Sequence, residues 1–488
     1  MSFASPTYVD RTRAGGEPLV ATHPSGRLFY SAHAGTTHFF APAAAAAGSA
    51  ALAQNYTGQT YVWTSDDNGK TWTFRPRILP GQGAPLSGFS DPEFAIDSAG
   101  QVFFSEINLA NVAVSKSTDR ATTFSLQNLA GAVLTDRQWM EADRKDEVYF
   151  VANGFGGGTG SMPIRPSGHY IAKSTDGGKT FTPSVDDNEG GEGLGDIRVD
   201  KRNGTVYEAH YFGTNLSMAA FRHARTGDLT ATDTNLIASG VKLVGHWPAF
   251  DLDPAGNLYV TWDESGTGAR PAGIWYSRST DGGRTWADPT RVDRDSRTDI
   301  WPWIAVGDAG QVGIMWLEAD HKLPGGDPET VGTYGWRLVG AVTANGLGCG
   351  MSATPGFSVA TATKDPMHVG AICQGGTDCL LDVRDRRLGD YFSVDLDSTG
   401  HLYAGYADTR VAAGVALPAF VRQSEGSLLR VTGVRKGAPP SADKPIGPAA
   451  EGRLAATGSG PSLALGAALL VLLAFVMRGR PLRDSRLN

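Results

Sequence analysis

Eight residues recur four times along this chain, and their chemistry dictates a local geometry. The copies read SDDNGKTW (Ser65 to Trp72), STDRATTF (Ser117 to Phe124), STDGGKTF (Ser174 to Phe181) and STDGGRTW (Ser279 to Trp286). In this S-x-D-x-G-x-T-aromatic pattern, Asp67, Asp119, Asp176 and Asp281 are placed to accept hydrogen bonds from the amides of a tight turn. Gly69, Gly178 and Gly283 supply the left-handed backbone position such a turn needs. The Thr and the ring after it start a returning strand, with the ring packed on a neighbouring sheet. The second copy is degenerate, carrying Ala121 where the others have glycine.

A second repeat runs independently of the first. It reads EPLVATHPSGRLFY, DPEFAIDSAGQVFF, DRQWMEADRKDEVYF, DIRVDKRNGTVYEA, HWPAFDLDPAGNLYVTW, IWPWIAVGDAGQVGIMW and DYFSVDLDSTGHLYAGY. Each copy is an apolar run, a polar turn and an alternating apolar strand, the signature of a hairpin. The turn markers fall at Gly26, Gly100, Asp146, Gly204, Gly256, Gly310 and Gly400, at intervals of 74, 46, 58, 52, 54 and 90 residues. A four-stranded propeller blade needs roughly 40 to 50 residues, so each interval fits one blade, with insertions in the longer ones. The sequence therefore predicts an all-β fold: a single β-propeller of four-stranded blades over residues 1–435, without long helices. Seven copies argue for seven blades. With 63 Gly, 27 Pro and 11 Trp in 488 residues, the composition suits such a turn-rich chain with a large core.

The eight-residue pattern resembles the Asp box of sialidase-like β-propellers (BNR repeats). That resemblance implies turns joining the outer strands of successive blades, with an architectural role away from the active face. It would favour six blades, with one repeat absorbed into ring closure. It also implies glycoside hydrolysis by three arginines, a tyrosine nucleophile assisted by a glutamate, and an aspartate acid/base. The family's R-I-P tripeptide ahead of the first box has no counterpart here, since Arg77-Ile78-Leu79-Pro80 follows that box.

The starts of the seven hairpins should converge near the propeller axis. They hold Glu17, Asp91 with Glu93, Asp136 with Arg137, Asp196 with Arg198, His246 with Trp247, Trp301 with Trp303, and Asp390 with Tyr391. Paired carboxyls can serve as acid and base, arginines can hold a carboxylate, and indoles stack on sugar rings. The catalytic candidates are thus Asp91, Glu93, Asp136, Arg137, Asp196, Arg198, Asp390 and Tyr391, the last standing late in the chain as the family's nucleophile does. The stacking candidates are Trp247, Trp301 and Trp303. The same polar residues can instead satisfy free backbone groups of neighbouring blades, or ring a water or a calcium ion. The acidic loop from Asp186 to Gly193 lacks EF-hand spacing and reads as solvated. No cofactor is required, and calcium is the one ion the carboxylates would suit.

The C-terminus carries a three-part signal. A Pro/Ala-rich linker over 436–453 precedes LAATG at 454–458. An uncharged apolar stretch at 461–477 follows, long enough for one transmembrane helix, and then a basic tail at 478–488. This order resembles the cell-wall sorting signal of actinobacterial surface proteins, the LAxTG variant. It implies cleavage between Thr457 and Gly458 by a sortase and attachment to peptidoglycan; a plain membrane anchor is the alternative. Either way the propeller faces outward. The first eighteen residues contain no apolar signal-peptide core, so an exported protein would have its true start upstream.

Of Cys349, Cys373 and Cys379, the last two bracket a short closable loop and form the expected disulfide, which leaves Cys349 free or competing for a partner. The sequence holds no phosphate loop, no G-x-S-x-G elbow and no H-E-x-x-H. The net charge of −7, without a basic stripe, argues against nucleic acid. Two functions follow. One is a cell-surface, sialidase-like propeller acting on or recognising glycans, with exo-sialidase-like glycoside hydrolysis as its reaction if it is an enzyme. The other is a non-catalytic, adhesin-like propeller that binds glycans or proteins.

Overall fold

The structure is a computed structural model that describes residues 1–33, 60–76, 90–108, 111–130, 135–154, 168–185, 196–245, 247–348, 354–376, 379, 384–411 and 415–430. His246, Cys349, the 186–193 loop, the linker, the LAATG segment with Thr457 and Gly458, the apolar stretch and the basic tail lie outside these residues, as does the side chain of Asp136.

Seven antiparallel sheets, each led by one hairpin repeat, form a seven-bladed β-propeller. Six blades would have required one repeat to be lost to closure, whereas each of the seven repeats builds its own sheet. The inner strands are Gly16–Thr22, Ser90–Ile96, Thr135–Ala142, Ile197–Asp200, Ala249–Leu252, Asp299–Val306 and Ser393–Leu396. Each packs on the next around the axis and the seventh packs on the first. Between blades the cores are aromatic and aliphatic. Tyr30, Trp63, Tyr403 and Phe420 fill the seam of blades 1 and 7; Phe103, Phe150 and Tyr170 that of blades 2 and 3; Met218, Phe250 and Trp262 that of blades 4 and 5.

The four eight-residue segments join the third strand to the outermost strand of blades 1, 2, 3 and 5. In every copy the Asp Oδ1 accepts the Thr amide at 2.9–3.0 Å and Oδ2 accepts the Thr hydroxyl at 2.6–2.7 Å. The leading Ser Oγ accepts the amide of the fifth residue at 2.9 Å. Two successive residues of each turn have positive φ, and in the second copy these are Arg120 and Ala121, without a glycine. Burial opposes ionisation of Asp281, but its hydrogen bonds outweigh that and hold its pKa down to about 2.

Because neighbouring strands are antiparallel, these turns lie on the same face of the ring as the turns ending the inner strands. Gly177 N donating to Asp146 O at 3.0 Å shows one such meeting. A disulfide joins Cys373 to Cys379 in the long excursion between blades 6 and 7.

Candidate functional site

The inner strands do not enter the ring uniformly. In blades 1, 2, 3 and 6 the pairing of the first two strands slips by one residue, a β-bulge. At each bulge one non-glycine residue has positive φ: Glu17 (46°), Asp91 (49°), Arg137 (54°) and Trp301 (56°). Strain held at four equivalent positions re-aims these side chains at the face where the inner strands begin.

On that face, blades 7 and 1 build a buried charge cluster. Glu17 faces His33 Nε2 at 2.6 Å and Arg386 at 3.6 Å, and accepts the Asp390 amide at 2.8 Å. Arg386 grips the Asp390 carboxylate with both terminal nitrogens. Burial favours protonation of Glu17, but His33 outweighs it and keeps the carboxyl below its ordinary range. Asp91 accepts the Ser90 hydroxyl at 2.7 Å, and the guanidinium of Arg137 lies 5.1 Å from the ring of Trp247.

Beneath this cluster the axis is blocked by four rings. Trp139, Trp247, Trp303 and Tyr391, from blades 3, 5, 6 and 7, meet with centroids 5.4–6.0 Å apart. All four are buried, so the indoles cover one another and leave no open stacking surface on that side. Tyr391 Oη donates to Pro92 O at 3.4 Å, and burial raises its phenol pKa well above the usual value. Trp301 is also buried, its indole donating to Gln374 Oε1 at 3.0 Å.

Beyond the plug the channel opens into a cavity of about 750 Å³, reaching toward the turns that end the inner strands. Glu93, Asp196, Arg198 and Trp303 line it, four of the residues picked out from sequence, together with Glu141 and Asp251, which were not. The repeats carried a signal for these two. Five residues before the turn marker, most blades have Ala or Val, whereas blades 3, 5 and 7 have Glu141, Asp251 and Asp395.

Arg198 organises the cavity. It pairs with Asp196 through Nη1, and its Nε lies 3.5 Å from Asp251 Oδ1. Burial disfavours its charge, but Asp196, Asp251, Glu141 and Glu93 reverse the effect and keep it protonated. Asp196 and Asp251 are each pushed up to about 6 by burial, against the pull of Arg198. Glu93 is raised well above the carboxylate range, chiefly by burial and then by the neighbouring Asp196. Its Oε1 accepts the Phe94 amide at 3.0 Å, while Oε2 is buried without a hydrogen-bond partner. A protonated acid beside an ionised, arginine-bound carboxylate is the arrangement proton transfer requires.

Other channel carboxylates are tied to the scaffold. Asp251 Oδ2 accepts the Val306 amide of blade 6 at 2.8 Å, and Asp395 Oδ2 the Thr22 amide of blade 1 at 2.7 Å. Each thereby satisfies a free backbone donor on the next inner strand. Among the described residues no group of three or more His, Cys, Asp or Glu is arranged to hold a metal ion.

No protein-family model matches this chain, and no curated protein matches it. Solved structures do. An ulvan lyase, a polysaccharide lyase bound to a GlcA–Rha3S glycan, matches at 11% identity over 84% of this chain and 95% of its own, with a TM-score of 0.48. An α-L-arabinanase of Penicillium chrysogenum, complexed with arabinobiose, matches at 11% identity, 86% and 98% coverage and a TM-score of 0.42. A Hadza microbial sialidase matches at 15% identity, 64% and 66% coverage and a TM-score of 0.41.

Proposed function

We propose that this propeller acts on or recognises glycans through its axial cavity, with glycoside hydrolysis as the reaction. The observation that carries this is the meeting of Glu93, Asp196, Arg198 and the edge of Trp303 in one cavity of about 750 Å³, within the roughly 300–1,000 Å³ range of small-molecule sites. Glu93 would donate the proton to the leaving oxygen, and Asp196, held on Arg198, would act as base or nucleophile. Tyr391 takes no part in this scheme, because its phenol lies in the plug. The scheme thus departs from the tyrosine chemistry implied by the Asp-box resemblance.

Recognition without turnover is the second reading, and one observation favours it. The cavity opens on the face that carries the Ser-x-Asp turns, opposite to where the resemblance places the chemistry.

The test is hydrolysis of a panel of fluorogenic glycosides, sialosides included, by the purified full chain and its Glu93→Gln and Asp196→Asn variants, with a glycan array in parallel. Hydrolysis should rise as pH passes about 6, where Asp196 ionises, and fall at higher pH as Glu93 loses its proton. Each variant should lose at least about 100-fold in kcat. Turnover unaffected by both substitutions would remove the cavity from the mechanism. Array binding without turnover would establish the second reading.

The order of LAATG, apolar stretch and basic tail supports display on the cell wall. Recovery of the parent chain with the membrane rather than the covalently bound wall fraction, unchanged by Thr457→Ala, would reject the sortase reading in favour of a membrane anchor.

A further inference from the structure

We propose that a cleft at the seam of blades 6 and 7, remote from the axis, binds sulfate or phosphate groups carried on a larger ligand. The cleft measures about 710 Å³ and lies where the N-terminal segment Phe3–Pro6 passes the outer strand of blade 6, Ser358–Thr361. Phe3 is seated closely there: a β-carbon placed on Gly340 would come within 2.6 Å of its ring.

Three cations line the cleft, Arg297, Arg337 and Lys364, and no aspartate or glutamate does. Arg297 is already engaged, with Glu318 Oε1 at 2.5 Å and Asp295 Oδ2 at 3.6 Å. Arg337 donates from Nε to Lys364 O at 3.3 Å. Neither Arg337 nor Lys364 has a carboxylate within ion-pairing distance among the described residues. Neither cation therefore forms an ion pair among these residues, and the carboxylate of Asp320 feels Arg337 only at longer range.

A guanidinium offers a planar fork that matches a tetrahedral oxyanion, and an ammonium adds a point charge beside it. Ser5 of the N-terminal segment and Thr361 of the blade 6 strand also line the cleft and carry hydroxyls able to donate. The volume exceeds what one oxyanion fills and falls within the range of ligand-sized sites, which points to a group borne on a longer molecule. The chain's net charge of −7 makes a diffuse attraction for polyanions implausible, so binding must come from this local concentration of positive charge.

The experiment is isothermal titration of the purified full chain with a sulfated oligosaccharide and, separately, with inorganic phosphate, at two salt concentrations. The oligosaccharide should bind, weaken as salt rises, and bind at least tenfold more weakly to the Arg337→Gln/Lys364→Gln double variant. Lys364→Gln alone should show part of that loss, and it serves if the double variant is unstable. Phosphate binding as tightly as the oligosaccharide would assign the same cleft to the free ion. Failure of both probes to bind, or unchanged affinity in the variants, overturns the proposal. Glu93→Gln should leave this binding intact, which separates the cleft from the axial cavity.

Discussion

Glu208 shows what one buried charge contributes in this ring. Fully enclosed between blades 3 and 4, it faces His169 Nε2 at 2.5 Å and His210 Nε2 at 3.2 Å. Burial favours its protonated form, but the two imidazoles outweigh this and hold its pKa down to about 2. A folded pKa below the unfolded value means stability that is complete above about pH 4.5 and lost as pH falls toward 2. The shift corresponds to an order of magnitude of about 3 kcal/mol. Glu208→Gln should therefore unfold at a lower temperature than the parent at pH 6, with the gap narrowing as pH falls from about 4.5 toward 2. Thermal denaturation across that range checks this, and a gap independent of pH would remove the charge from the account.

At the scale of the turns, two substitutions at equivalent positions should differ sharply in cost. Gly69 has a φ of +81°, and a β-carbon there would stand 2.2 Å from Cε1 of Phe420 in blade 7. Gly69→Ala combines backbone strain with overpacking of a buried ring, and should destabilise by about 3 kcal/mol or more. Ala121 already occupies the equivalent position with a φ of 60°. Ala121→Gly relieves about 1–2 kcal/mol of left-handed strain, but gives up a buried methyl worth about 0.8 kcal/mol and loosens the unfolded chain. Its net effect should stay within about 1 kcal/mol, and chemical denaturation of the two variants compares them directly.

These turns explain why the fold was legible. Their chemistry is local and marks four of the seven blades, and the hairpin repeat that runs alongside them marks all seven. The site was legible only in part, because bulges and long-range packing decide where a strand's first residues point. The hairpin starts near Glu93 and Tyr391 look equivalent in sequence, yet Glu93 lines the cavity while Tyr391 is built into the plug with Trp139, Trp247 and Trp303. No local pattern reports that four rings from four blades meet. The acidic residues of the aligned repeats at Glu141 and Asp251 were visible, but their role depends on Arg198 from a different blade.

For the whole molecule the decisive contact is the one that closes the ring. Blade 7 takes its inner three strands from residues 393–425 and its outer edge from the other end of the chain. Phe3 pairs with Gln423, Thr7 with Phe420 and Tyr8 with Ala419. Side chains reinforce the closure: Tyr8 Oη donates to Asp408 Oδ2 and Trp63 Nε1 to Asp10 Oδ2, both at 3.0 Å. Removing residues 1–10 would expose the edge of Leu417–Glu425 and leave the buried indole of Trp63 without its acceptor. A propeller closed only by non-covalent pairing should then lose cooperativity and associate through the open edge. Calorimetry and light scattering on the shortened chain should show a broadened, lowered transition and species larger than the parent. A sharp transition at the parental temperature, with no change in mass, would mean that the other six seams hold the ring without it.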